Sequence, residues 1–209
     1  MKIPILFYIS FIFEILAALV GGFRYRNLPR PLRILEGLII FNVLKVGLQW
    51  ILAIQNIRNL WILHYSTIIE LAFIIAIYSF WIRQKHYQLI LRLCLAGFFI
   101  LWIVSKFTFE PLSLSDGGTA TISKILQIIF SAYLFVIVIK DSEIVWTDDP
   151  RFWIAASIII NSAGSLFWSA LFNKMLQISP ELLRHMYPIP WLLGIFVDLL
   201  MIRGFLCKK

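Results

Sequence analysis

Seven residues have types and positions that suit proton or ligand chemistry: Glu14, Asn42, Lys45, His64, Glu70, Asn161 and Asp198. All but His64 stand about eleven residues or slightly more into long apolar runs. At roughly 1.5 Å of rise per helical residue, that spacing puts them in one band about 10 Å deep. Such a depth is close to the centre of a bilayer. A charge facing hydrocarbon there costs several kcal/mol, on the order of 3 or more, so these side chains are expected to point inward. Lys45 is the cation expected in the band, and Glu14, Glu70 and Asp198 compete for it. The expected pair is Lys45 with Glu70, on neighbouring antiparallel spans joined by a short loop. Desolvation would keep unpaired carboxyls protonated unless water reaches them. Asn42 and Asn161 are natural hydrogen-bond partners. His64 lies about two turns outward of Glu70 and is placed to link the band to the outer surface. The structural alternative is that these groups are interhelical glue with no further role.

The elements that must position them are transmembrane helices. The chain has 209 residues, of which 61% are hydrophobic and only 14% charged. Its mean hydropathy is +0.88. Soluble domains run nearer half apolar with about a quarter charged, so lipid is expected to solvate much of this surface. The expected fold is all-α, a single polytopic transmembrane domain forming a seven-helix bundle. Its spans are expected near 3–23, 31–55, 59–81, 87–107, 122–140, 150–173 and 187–206. The first run reads as a retained span rather than a cleaved signal, because Glu14 interrupts it and Arg24 and Arg26 close it. Asn42, Lys45 and Gln49 share a helical face in span two. Glu110 to Thr121 carries Ser113, Ser115, Asp116, Gly117 and Gly118 and is read as the one long exposed loop, with span five opening at Ile122. Asp149 then Pro150 is a helix start, a capping side chain followed by proline at the first helical position. Gly164 and Ser165 give span six a small-residue surface that permits close helix approach.

Charge sets the expected orientation. Eleven cations flank one side of these spans, with Arg24, Arg26, Arg30 and Arg33 clustered after span one, against six on the other. The positive-inside rule then puts the N-terminus outside and the C-terminus in the cytoplasm. The net charge of +8 is accounted for by these flanking residues, and no nucleic-acid partner is expected. Cys94 and Cys207 have no metal-ligand spacing. No phosphate-binding glycine loop, zinc signature or nucleophile elbow is present, so no cofactor, metal or catalytic residue is assigned.

Seven spans with an outside N-terminus match rhodopsin topology, but the last span carries Asp198 where a retinal pigment needs lysine. Pro31-Leu32-Arg33 opening span two and the run Asp149-Pro-Arg-Phe-Trp-Ile154 opening span six carry a different resemblance. On these motifs the chain resembles small seven-span membrane proteins of flavobacteria and related Bacteroidetes. The resemblance implies a multi-pass protein of the bacterial inner membrane and brings no activity with it. The expected function is a sensor or receptor-like module with a polar midplane pocket, signalling through a separate partner protein. The alternatives are a small solute or proton-coupled transporter, a structural subunit of a membrane complex, and an intramembrane enzyme acting on lipid.

Overall fold

The structure, a computed structural model, describes residues 4–82, 84–113, 116–140, 145–178 and 188–207, with the side chains of 169–178 outside that description. Among the described residues there are seven α-helices and no strand. They are α1 (Ile5–Arg24), α2 (Arg30–Ile54), α3 (Leu60–Trp81), α4 (Lys85–Thr108), α5 (Gly117–Lys140), α6 (Pro150–Ile178) and α7 (Pro188–Leu206). Single 3-10 turns, Tyr25–Asn27 and Trp146–Asp148, lead into α2 and α6. Every regular element among the described residues is therefore a helix, as the apolar runs demand. Six helices, α1 to α5 and α7, are long and apolar enough to cross a membrane. Their outward faces carry large apolar side chains such as Ile12, Leu44, Leu93 and Ile100, each more than half exposed. That surface suits lipid.

Most helix limits fall within two residues of the sequence expectation. Two limits differ more: α6 runs to Ile178, five residues beyond the expected 173, and helix α5 begins early. It opens at Gly117, five residues before the expected Ile122, so Gly117–Thr121 is helix rather than exposed loop. Its first turn is secured by Glu110 and Asp116, both buried. The exposed-loop reading holds only for Pro111–Ser113, and Ser115 lies outside the described residues.

The chain divides into two compact units. Unit 1 holds α1, α5 from Gln127 onward, α6 and α7; unit 2 holds α2, α3, α4 and α5 up to Leu126. In unit 1, α7 packs on both α1 and α6. Asp149 caps α6 as its sequence suggests: its Oδ1 accepts from the Arg151 amide at 2.8 Å, and its Oδ2 pairs with the Arg151 guanidinium at 2.6 Å. At the far end of α7, Arg24 donates to the Phe205 carbonyl. A cation on the last carbonyls suits the negative end of a helix. Thus Arg24 is tied to protein and is not simply a headgroup anchor.

Small residues set the approach of α6 and α7. A Cβ at Gly204 would lie 2.6 Å from Ile154 Cδ1 and 3.5 Å from Trp153 Cβ. Gly204→Val should therefore force the two helices apart and cost about 1–3 kcal/mol, the usual range for overpacking. A melting temperature equal to wild type in mild detergent would contradict this contact.

In unit 2, α3 packs on α2 and α4. The turn between α2 and α3 is short because Asn56 takes the left-handed conformation, φ 55°, which asparagine tolerates. Asn59 then donates from Nδ2 to the Gln49 carbonyl at 3.0 Å, fastening the turn to α2. Arg33 closes the entry to α2, with Nε donating to the Leu28 carbonyl at 2.8 Å and Nη2 to that of Arg26 at 3.1 Å.

Candidate functional site

Glu70 faces α2 and α5 from the middle of α3. Lys45 Nζ on α2 stands 2.7 Å from Glu70 Oε1, and Lys124 Nζ on α5 stands 3.0 Å from Oε2. The expected Lys45–Glu70 pair is present, but Lys45 is not the sole cation available. The early start of α5 carries Lys124 seven residues into the helix. All three side chains are largely buried, with 15–16% of their surface exposed. One carboxylate between two ammonium groups clamps three helices through both of its oxygens. With all three groups ionised, the cluster carries one excess positive charge.

A second cluster lies further along α3 toward its N-terminus. His64, wholly buried, has Nδ1 2.5 Å from Lys106 Nζ on α4. Lys106 also lies 3.5 Å from Glu110 Oε2. Glu110 in turn caps α5. It accepts from the Gly118 amide, from the Thr119 amide at 3.1 Å and from the Thr119 hydroxyl at 2.6 Å. Gly118 is needed for this approach, since a Cβ there would lie 2.8 Å from Glu110 Oε1. Thr67, one turn along α3 from His64, donates its hydroxyl to Asp116 Oδ2 at 2.5 Å. Two carboxylates thus sit at the positive N-terminal end of α5, where unsatisfied amides and the helix dipole favour anions. Burial pushes the Glu110 carboxyl up, but the donors from Thr119 and Gly118 and the Lys106 charge together hold it below its ordinary range. The Trp102 indole donates to the His64 carbonyl at 2.9 Å and holds α4 against α3 at the same level.

His64, Thr67 and Glu70 follow one another at three-residue intervals, so α3 presents one polar stripe joining the two clusters. Lys45, Lys106 and Lys124 face Glu70, Glu110 and Asp116, three cations against three carboxylates. The single excess positive charge around Glu70 is balanced by the excess negative charge at the α5 N-terminus. His64 belongs to the column as the sequence suggests, but as a buried member rather than an interfacial one.

No protein-family model, curated protein or solved structure matches the chain. The residues themselves therefore carry the functional argument.

The remaining members of the expected band divide between the units. Asn42 lies in unit 2, and its Oδ1 is buried without a hydrogen-bond donor. Glu14, Asn161 and Asp198 lie in unit 1. There the carboxyls of Glu14 on α1 and Asp198 on α7 are close enough to interact electrostatically. The helices converging on Glu70 in unit 2 are α2, α3 and α5.

The structure also singles out Glu36 on α2. Its side chain is 1% exposed, and neither carboxyl oxygen has a hydrogen-bond partner. Burying a polar group unpaired costs several kcal/mol, roughly 2 or more, and a buried charge costs far more. Glu36 is visible in the sequence as a polar residue within the apolar run of span two, but nothing there marks it as buried without a partner. Among the described residues no group of three metal-ligating side chains occurs.

Proposed function

We propose that this chain is a seven-span protein of the bacterial inner membrane that works as a sensor-type module. Helix α6, 29 residues long, supplies the seventh span. The N-terminus lies outside and the C-terminus in the cytoplasm, as the cation distribution requires. The observation that carries the reading is the Lys45–Glu70–Lys124 clamp. A single carboxylate holds three helices, so one chemical event at Glu70 can change their relation. Protonation of Glu70 releases both lysines, and an anion arriving at the two ammonium groups competes with it. Protonation leaves two like charges close together in a medium of low dielectric, where their repulsion is large, and a bound anion takes both lysines from Glu70. The resulting helix movement is the signal, read by a separate partner protein at the cytoplasmic face.

The test uses spin labels at positions 56 and 121, at the α2–α3 turn and on the first turns of α5. The sensor reading expects two distance populations whose ratio shifts in Glu70→Gln. A single population identical in both proteins would overturn it.

A proton-coupled carrier is the second reading, favoured by the unpartnered Glu36 carboxyl and by the neighbouring Glu14 and Asp198 carboxyls. It requires proton flux in proteoliposomes that Glu36→Gln or Asp198→Asn abolishes. The sensor requires the absence of such flux.

A further inference from the structure

Arg92 is an exposed cation on a face of α4 that is apolar from there toward the middle of the helix. It stands seven residues into the helix, roughly 10 Å from its start. No described residue forms a hydrogen bond or ion pair with it. A guanidinium at this depth needs a counter-charge or a route to the headgroup layer.

Beside it runs an apolar groove of about 490 Å³ between α3 and α4. Ile68, Ile69 and Ala72 form one wall; Leu95, Ala96 and Phe99 form the other, with Arg92 on the same lining. The α4 wall lies three, four and seven residues beyond Arg92, one helical face continuing toward the middle of the helix. Ala72 and Ala96 leave the space that larger side chains would fill. The groove is thus cationic at the end nearer the start of α4 and wholly apolar beyond. Lys85, seven residues before Arg92, lies on the same face and adds a second exposed cation nearer the helix start.

The geometry points to a specific site for an anionic phospholipid. The phosphate sits on the Arg92 guanidinium, whose fork of donors matches phosphate oxygens. One acyl chain lies in the groove, gaining about 0.8 kcal/mol for each methylene it buries. Charge complementarity commits the site to an anionic headgroup, since a zwitterionic lipid brings its own cation to the same place. The site is independent of the Glu70 clamp and stands or falls separately from it.

Native mass spectrometry of the full chain tests this, with phosphatidylglycerol and phosphatidylcholine of matched acyl chains as probes. The anionic lipid should be retained at about tenfold lower concentration, the effect of one charge-assisted contact. Arg92→Leu should remove that preference, while Arg92→Lys keeps most of it. Ala96→Phe should weaken both lipids by filling the groove, and it tests the site without touching the charge. Arg58→Leu, at the opposite end of α3, should change nothing. Equal retention of the two lipids by the wild type would overturn the proposal. So would a headgroup preference that survives Arg92→Leu, or undiminished lipid binding in Ala96→Phe.

Discussion

Glu70→Gln is expected to destabilise the protein by about 3–5 kcal/mol, the cost of removing one partner from a buried ion pair. The reason is specific to the clamp. Without the carboxylate, Lys45 and Lys124 remain as two cations that no longer have the anion between them. At roughly 2–4 °C per kcal/mol for a chain of this size, the melting temperature should fall by about 6–20 °C. Either lysine alone is far less important. Lys45→Met or Lys124→Met leaves one neutral ion pair and removes the excess charge, so each should cost only about 1 kcal/mol. The triple variant Lys45→Met, Glu70→Gln, Lys124→Met should recover most of the stability lost in Glu70→Gln, because an apolar replacement of a buried charge cluster is often neutral or better. It should also lose the distance change that the sensor reading requires. Thermal unfolding in mild detergent ranks the four proteins. If Lys124→Met proves as damaging as Glu70→Gln, or the triple variant is worse than the single, the clamp is not the energetic unit described. A double-mutant cycle on Lys45 and Glu70 that shows strict additivity would remove their pairing.

Glu110→Ala is expected to cost about 2–4 kcal/mol, combining a lost helix cap with buried donors left unsatisfied. Three donors at the start of α5 converge on this carboxylate, and Lys106 stands beside it. Its removal should speed hydrogen exchange at the amides of Gly118 and Thr119 well before it affects the centre of α3. Because α5 also carries Lys124, loosening its first turn should weaken the Lys124–Glu70 contact, and the cost should not be additive with Lys124→Met. The pH dependence has a definite sign. Glu110 has a folded pKa below its unfolded value of 4.5. At neutral pH the carboxylate is ionised in both states, and its contribution to stability is fully present. As pH falls below about 4.5, the unfolded chain takes up the proton first, and stability declines until the folded pKa is passed. Glu110→Gln should flatten that acid limb. An acid limb identical in wild type and Glu110→Gln would assign the cap no electrostatic role.

The chain's helical character, the approximate limits of most helices and the Lys45–Glu70 pair were legible without coordinates. Long apolar runs admit little else in lipid, where every backbone amide must be satisfied within its own segment. A short loop between α2 and α3 forces them antiparallel, which brings Lys45 and Glu70 to similar depth. The Asp149 cap and the small-residue surface of α6 were readable for the same reason, since both depend on neighbours in sequence or on the size of one side chain; that Gly164 meets Leu193 of α7 came from the packing.

Lys124, Glu110 and Glu36 were not legible in their present roles, for physical reasons. Ser, Asp and Gly between 113 and 118 have the composition of an exposed turn, and only the arrival of Glu110 and Thr67 makes 116–118 a helix start in which Asp116 is buried while Gly117 and Gly118 stay exposed. That start moves Lys124 inward by more than a turn and makes it a second partner for Glu70. Glu36 stands out in the sequence only as a polar residue in an apolar run, and it is the surrounding packing that buries it without a donor. Sequence by itself determined which residues are too costly to leave facing lipid, because transfer cost belongs to the side chain. Only the tertiary structure decided which charges meet, because pairing depends on helix rotation and starting register, and a shift of a few residues carries a lysine from the membrane surface to a buried carboxylate.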